Sequence, residues 1–446
     1  MSTSIAFVSL GCDKNLIDSE NMLGLLKEAG FNLSIEEAQA EVIVINTCCF
    51  IQEAQEESID TILQMALYKK EGKCKALIVT GCMAERYKKE IMQEIPEIDG
   101  IIGTTAYDQI VPVIQKVLQG EKVEAFSDLH RHIEIEGKRI LSTPGYYAYL
   151  KIAEGCNNHC SYCIIPKIRG NYRSRSIESL LQEAKTLVQE GVRELIIVAQ
   201  DVTRYGQDLY NEKKLPELLT QLCQIEDLRW IRLLYCYPEE ITDELIQVMV
   251  KEPKICRYID MPIQHANDDI LRRMGRRSNQ KQLRKVMEKL RQAMPDICLR
   301  TTLITGFPGE TQEQFEDLYA FVKEMKFDRL GVFTYSREEG TKAATFSNQI
   351  PEEIKEERRN QLMELQQKIS AELSKQMIGQ KVEVLIEGQL PEQGVYCGRT
   401  YKDAPDVDGM VFVPVKSTFN DLLSGDFITV RIQEAYEYDV VGEMIK

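Results

Sequence analysis

The 446-residue chain has no apolar run long enough to span a membrane and no basic-then-apolar leader, since Met1-Ser-Thr-Ser4 runs straight into a strand-like stretch. These absences exclude an integral helical membrane protein and point to the cytosol. A basic excess is missing too: 55 Lys plus Arg stand against 70 Asp plus Glu, a net of −15. Such a balance disfavours a general nucleic-acid coat and suits a basic or neutral partner, although a local basic patch can still meet a phosphate backbone. Nor is there a disulfide framework. Thirteen cysteines, an odd number gathered around motifs in a long chain, argue for metal ligation in a reducing compartment.

The densest of those motifs is Cys156-Asn-Asn-His-Cys160-Ser-Tyr-Cys163, a CxxxCxxC triplet directly after the apolar, aromatic run 146–153. Three thiolates on one loop can hold three irons of a 4Fe-4S cube, whereas an electron-carrier cluster usually takes four cysteines. One iron stays open for chemistry. A set of ordinary buried thiols fits poorly, because Asn157, Asn158, His159 and Ser161 are too polar for a packed interior. Zinc fits poorly as well: it wants four ligands in CxxC or His-containing pairs, and no second pair stands nearby.

The fold expected is α/β in three blocks. In 1–120, short apolar runs at 5–10, 42–46 and 76–80 alternate with helical patterns at 17–29, 53–68 and 84–95, which implies an open parallel sheet with crossover helices. A polar linker, 121–145, follows. Alternation restarts in 146–350 with six strand candidates, at 146–153, 194–200, 230–235, 258–262, 298–304 and 330–335. Helical patterns lie between them at 177–190, 240–250, 280–294 and 311–325, fitting a partial (βα)6 TIM-type barrel whose site lies at the carboxyl ends of the strands. A charged connecting helix, 351–377, leads to a small all-β module, 378–446, with strand-like runs at 382–386, 410–415 and 427–434.

The first block hides a second constellation. Cys12, Cys48 and Cys82 each follow one of its three strand candidates, in the settings Leu-Gly-Cys12, Asn46-Thr-Cys48 and Thr80-Gly-Cys82. Loops after neighbouring parallel strands gather at the carboxyl edge, where ligands bind. Each thiol alone reads as a small buried hydrophobe; three equivalent strand-end positions together read as a second three-cysteine cluster. Cys49 competes with Cys48 for the role of ligand, and the Asn-Thr-Cys setting favours Cys48. Cys74, Cys223, Cys236, Cys256, Cys298 and Cys397 share no spacing and read as core or surface thiols.

With both triplets, the stretches Leu10-Gly-Cys12-Asp13-Lys-Asn-Leu-Ile-Asp-Ser-Glu20, Tyr149-Leu-Lys-Ile-Ala-Glu-Gly-Cys156 and Gly398-Arg-Thr-Tyr-Lys-Asp-Ala-Pro-Asp-Val-Asp-Gly409 make the chain similar, over essentially its whole length, to the radical S-adenosylmethionine (SAM) methylthiotransferase family. The likeness is greatest to the branch that acts on ribosomal protein uS12, and it marks the last module as TRAM-like. Asp13 stands where that family more often has Pro, and Cys49 where it more often has a small residue; neither departure removes a ligand. The resemblance implies two 4Fe-4S clusters and SAM as cofactors. It implies that the cluster on Cys156, Cys160 and Cys163 cleaves SAM to a radical, and that the cluster on Cys12, Cys48 and Cys82 supplies the sulfur. The target implied is the β-carbon of one uS12 aspartate, with two SAM consumed per turnover. An electron donor such as flavodoxin or ferredoxin and a sulfur source are further implied partners.

Tyr162, just before the third barrel cysteine, is placed either to pack beside the adenine or the cluster or simply to plug the barrel mouth, and Gly306 lies in Thr302-Leu-Ile-Thr-Gly306-Phe-Pro-Gly309-Glu310, which resembles the GxIxG stretch that lines adenine, with Thr302 replacing its first Gly. Gln200 and Asp201 after the second barrel strand, and Gln264 and His265 after the fourth, fall where a barrel places polar active-site groups. Lys167, Arg169, Arg173 and Arg175 form a basic run that reads either as a solvated loop or as an Arg that orients a carboxylate of SAM or substrate. The alternative substrate in this family is a tRNA adenosine. It calls for a basic last module, yet 376–446 carries six Lys plus Arg against twelve Asp plus Glu. That acidic balance favours a basic protein partner over tRNA. A reading from another class, a two-cluster electron carrier without radical chemistry, calls for a fourth cysteine near each triplet, and none is evident.

Overall fold

The computed structural model describes residues 3–133, 139–415 and 422–445, so the middle of the expected 121–145 linker lies outside the described residues. The chain packs into two compact units. The first comprises Met1–Ser142, Ala153–Ser174 and Ser336–Ala344; the second comprises Thr143–Ile152, Arg175–Tyr335 and Thr345–Lys446.

Six parallel strands build the first unit: β1 (Ser4–Ser9), β2 (Asn32–Ser34), β3 (Val42–Thr47), β4 (Ala76–Gly81), β5 (Gly100–Ile102) and β6 (Val123–Ala125), in the order β2-β1-β3-β4-β5-β6. Every residue of β3 and β4 is buried, as expected for inner strands of a sheet with helices on both faces. Because β2 lies outside β1, the chain crosses β1 to reach β3, and the strand order switches between β1 and β3. In open α/β sheets that switch point is where ligands bind. The pattern expected to form one helix at 84–95 is broken into Cys82–Tyr87 and Lys89–Glu94 by Lys88, whose φ is 44°. A strand, β6, also arises inside the expected linker.

The second unit holds β7 (Tyr147–Lys151). The chain then crosses the cysteine loop, where β8 (Ala153–Glu154) and β9 (Arg173–Ser174) pair antiparallel within the first unit. It returns through β10 (Glu194–Val198), β11 (Trp230–Leu233), β12 (Ile255–Asp260), β13 (Cys298–Thr305) and β14 (Arg329–Thr334), which with β7 form one parallel sheet ordered as in the chain. Five of its intervening helices start at side-chain caps: Ser176, Thr242, Asn267, Asn279 and Thr311 each accept a backbone N–H of the first turn. After the helix Glu352–Lys375, β15 (Lys381–Leu390), β16 (Val395–Arg399), β17 (Val411–Pro414), β18 (Phe427–Ala435) and β19 (Val440–Met444) close into a barrel. Ile428, Val430 and Ile432 point into it at every second position of β18.

This small barrel docks on the amino-terminal ends of the parallel strands through 399–408. Glu194, at the start of β10, lies between Arg232 (2.7 Å) and Arg399 (2.7 Å), all three fully or almost fully buried. Tyr258 donates to Asp408 (2.8 Å), Arg329 pairs with Asp403, and Arg232 reaches the Tyr401 carbonyl (2.6 Å). Part of the acidic excess of the last module is therefore spent in internal ion pairs, including Arg399–Glu387 at 2.6 Å. Among the described residues no helix is long and apolar enough to cross a membrane.

Candidate functional site

Cys12, Cys48 and Cys82 follow β1, β3 and β4, neighbours in the sheet. The corner before Cys82 requires Gly81: its φ is 90°, and a Cβ there would run into Asn46 Oδ1 and the Thr47 carbonyl. Gly11 is equally constrained, because a Cβ would stand 2.7 Å from Cys48 Cβ and 3.1 Å from Cys48 Sγ. The Cys12 and Cys48 loops thus touch.

Asn15 ties them together. Its amide donates to the carbonyls of Leu10 (3.1 Å) and Thr47 (2.9 Å), while Asn46 donates back to the Asn15 carbonyl (2.8 Å). Ser58 clamps Cys48 from the other side, accepting its N–H (3.1 Å) and donating to its carbonyl (2.9 Å). The Cys82 thiol lies 3.6 Å from Asn15 Oδ1. Neither Asn15 nor Ser58 is marked by sequence reasoning; the only signal is that Asn15 falls three residues after Cys12, one turn into the helix Asp13–Glu28.

Electrostatics separate Cys48 from Cys49. Burial pushes the Cys48 thiol up, and Cys12 is the neighbour that adds to the shift, with Arg169 opposing it. Burial likewise pushes Cys82 up to about 12, with Arg169 pulling it down and Cys48 and Cys12 pushing it further. Cys49 responds instead to Cys82, Arg86 and Cys48 after burial, and packs in the apolar core under the sheet. Cys12 acts on both Cys48 and Cys82, whereas Cys49 faces Cys82 and Cys48. Cys12, Cys48 and Cys82 are neighbours without metal-ligating spacing: among the described residues no three Cys, His, Asp or Glu side chains stand close enough to hold an ion. Soft thiol donors on neighbouring strand ends, Cys48 and Cys82 buried and Cys12 exposed, with the Arg169 cation beside Cys82, are the donor set that an iron–sulfur group takes.

The second triplet lies in the same unit. Cys156 and Cys160 are buried and Cys163 half-buried. Gly155 and Gly170 shape the loop, with φ of 81° and 72° and the Asn171 and Leu129 carbonyls where a Cβ would go. The Cys156 N–H donates to the Gly170 carbonyl (3.1 Å), and Cys163 N–H to the Cys160 carbonyl (3.0 Å). His159 takes a left-handed φ of 50°, turning the chain between the first two cysteines. Tyr162 is half-buried on this loop.

The basic run divides, with Arg169 and Arg173 buried and held by internal partners and Arg175 and Lys167 more exposed. Arg169 is 2% exposed, with Nη1 on Asp18 (2.6 Å) and Glu154 (3.1 Å), and Nη2 on Asn15 Oδ1 and 3.4 Å from Cys82 Sγ. Arg173 donates to the carbonyls of Asn171 (2.5 Å) and Arg169 (3.1 Å), Arg175 pairs with Glu183 (2.6 Å), and only Lys167 is exposed, donating to the Gly340 carbonyl (2.7 Å).

In the second unit, Gln200 and Asp201 after β10, Gln264 after β12 and Gly306 after β13 all lie at the carboxyl edge of the sheet, opposite the end that carries the small barrel. Gln264 has a φ of 70° and bridges to β13, donating to the Thr302 carbonyl (2.9 Å) and accepting from Ile304 (2.8 Å). Asp201 is buried and accepts the Thr203 hydroxyl (2.6 Å). Glu310, which sequence reading treated only as the end of the Gly306 motif, organises it: its Oε2 accepts the N–H groups of Gly306 (2.7 Å) and Phe307 (3.1 Å). His265 is buried: its Nδ1 accepts the Asn267 N–H (2.9 Å), while Nε2, 4.0 Å from the Glu310 carboxylate, makes no hydrogen bond among the described residues.

Comparison with known proteins agrees with these parts. The family described as Uncharacterized protein family UPF0004 matches residues 4–103, the Radical SAM superfamily matches 150–322, and the TRAM domain matches 378–445. The protein of Lachnoclostridium phytofermentans named ribosomal protein uS12 methylthiotransferase RimO is 57% identical over 98% of this chain and 99% of its own. Relatives of the same name from Desulforamulus reducens and Clostridioides difficile are 52% and 49% identical, each over 99% of this chain and at least 98% of theirs. Among solved structures, the radical SAM methyltransferase TsrM from Kitasatospora setae shares the fold at a TM-score of 0.57, with 13% identity over 89% of this chain and 81% of that one. The cobalamin-dependent SAM radical enzyme OxsB aligns at 0.51, with 12% identity over 77% of this chain and 55% of that one. Alike along its full length to these named relatives, the chain belongs to the radical-SAM methylthiotransferase family, in the RimO group, and is an enzyme that transfers sulfur-containing groups.

Proposed function

We propose that this enzyme adds a methylthio group to the β-carbon of an aspartate in ribosomal protein uS12, holding one 4Fe-4S cluster on Cys156, Cys160 and Cys163 and a second on Cys12, Cys48 and Cys82. The observation that carries the reading is the meeting of three strand-end thiols at the β1/β3 switch, in the same unit as the CxxxCxxC loop. The uS12 substrate is supported by the names of the full-length relatives. When bound, the clusters and SAM supply the radical and the sulfur, one SAM as methyl donor and one as radical source.

The chain's own residues supply geometry. Gly11, Asn15 and Ser58 bring Cys48 against Cys12, while Gly81 turns Cys82 toward them. Glu310 fixes the backbone of the Gly306 loop by accepting two N–H groups, leaving Gln200, Gln264 and Gly306 at one edge for SAM; Tyr162, on the cluster loop of the first unit, is a separate candidate contact. Asp201, committed to Thr203, shapes that edge. The charge argument for substrate choice narrows: the acidic module docks at the opposite end of the sheet, so its surface acts away from these residues. The reading places the protein in the cytoplasm, with flavodoxin or ferredoxin as electron donor and a separate sulfur source.

Anaerobic reconstitution tests it. About eight irons per chain and reductant-dependent 5′-deoxyadenosine are expected, with a methylthio group on uS12 by mass spectrometry. Four irons, or modification of unmodified tRNA alone, would overturn the two-cluster or the protein-substrate part respectively.

A further inference from the structure

Arg169 stands six residues after the last cysteine of the CxxxCxxC loop and is spent entirely inside the protein. Its guanidinium divides its donors by kind. Nη1 faces the carboxylates of Asp18 and Glu154, and Nη2 faces Asn15 and the Cys82 sulfur at 3.4 Å. Two carboxylates on one edge fix the plane of the group, so the opposite edge is aimed at sulfur. Its backbone is held equally firmly: Arg169 N–H donates to Ile165 (2.8 Å), and the Ile168 carbonyl before it accepts the Thr104 hydroxyl (2.6 Å). A buried cation is costly unless its partners justify it. Here the carboxylates of Asp18 and Glu154 supply those partners.

We propose that Arg169 is a positioning residue for the group held by Cys12, Cys48 and Cys82, donating a charge-assisted hydrogen bond to the Cys82 sulfur and raising the reduction potential of that site. The inference rests on the reading that these three thiolates hold an iron–sulfur cluster. Hydrogen bonds to ligand sulfurs and nearby positive charge favour the reduced, more negative state, and both are tools by which a protein tunes such a cluster. Asp18 works against Arg169 as a buried anion on its far side. Removing the cation and removing the anion therefore shift the potential in opposite directions, a sign pattern that a general loosening of the fold does not produce.

The test uses full-length protein in which Cys156, Cys160 and Cys163 are replaced by Ala, leaving one candidate cluster. After anaerobic reconstitution this parent should hold about four irons per chain, and its midpoint potential is read by titration followed by electron paramagnetic resonance. In that background Arg169→Gln should lower the potential, Arg169→Lys should stay near the parent, and Asp18→Asn should raise it. If Arg169→Gln takes up no iron, retention of iron by Arg169→Lys together with the upward shift of Asp18→Asn supports the proposal. Potentials unchanged by both Arg169→Gln and Asp18→Asn, or moved in the same direction, overturn it while the cluster reading stands. A parent that takes up no iron overturns the cluster reading, and this inference with it.

Discussion

Asn15 Nδ2 donates to the Thr47 carbonyl at 2.9 Å, joining the turn after β1 to the turn after β3 across the sheet's switch point. The same amide also satisfies the Leu10 carbonyl (3.1 Å). Asn15→Ala strands two carbonyls, at least one of them buried, at a cost of about 1–3 kcal/mol, and frees the Cys12 loop from the Cys48 loop. Two results are expected together: a lower denaturation midpoint, and a loss of iron from the protein lacking the three barrel-loop cysteines. Full iron retention at unchanged stability would show that Gly11 packing alone sets the site.

Cys48 and Cys49 are adjacent in the chain, and the proposed second cluster uses only the first. Cys48 senses Cys12, whereas Cys49 lies at 0% exposure in the core beside Met83 and Ile45. Cys48→Ala should reduce the iron content from about eight to about four per chain. Cys49→Ala should leave the iron in place and lower stability by about 1 kcal/mol, the cost of a small core truncation. Iron counts and chemical denaturation of the two variants distinguish the assignments, and the reverse pattern makes Cys49 the ligand.

The regular parts of this fold were legible because inner parallel strands are continuous apolar runs. The six strands expected between 146 and 335 all occur in one sheet, and the triplet of Cys12, Cys48 and Cys82 follows from their common place at strand ends. The short strands were not legible: β2, β5 and β6 have three residues each, too few to show a period. Lys88 breaks its helix through a backbone angle that a Tyr-Lys-Lys-Glu stretch does not announce. Arg169 was misread because its partners Asp18 and Asn15 lie about 150 positions earlier, and a basic run looks the same whether its charges face water or buried carboxylates. The stretch 399–408 carried the family likeness without revealing that its task is to fasten one barrel to the other.

That fastening can be measured. Glu194 is fully buried between Arg232 and Arg399, which outweigh burial and hold its carboxyl below the ordinary 4.5. Glu194→Gln leaves two buried guanidinium groups without their anion, and breaking a buried pair in this way costs about 3–5 kcal/mol. Urea denaturation should show that loss. Limited proteolysis should release the module carrying β15–β19 from the variant earlier than from the parent; equal digestion rates would mean that Tyr258–Asp408 and Arg329–Asp403 suffice.

Glu310 and His265 give the second unit a pH signature with two opposing parts. Burial raises the Glu310 carboxyl from 4.5 to about 7 despite Arg358 at 3.1 Å. Burial also lowers His265 from 6.5 to about 3, with Arg358 adding to the shift. Between pH 4.5 and 7 folded Glu310 keeps a proton that the unfolded chain has lost, so stability falls as pH rises. Between pH 3 and 6.5 the unfolded chain protonates His265 while the folded chain does not, so stability rises with pH. Each slope approaches ~1.4 kcal/mol per pH unit, and in the overlap from 4.5 to 6.5 the two offset each other. Glu310→Gln, which keeps an acceptor for Gly306 and Phe307, should expose the His265 slope, with stability climbing through that window. His265→Gln should expose the other, with stability falling. Denaturation midpoints at several pH values decide it: variants that run parallel to the parent across the window would mean that neither group changes its protonation on folding.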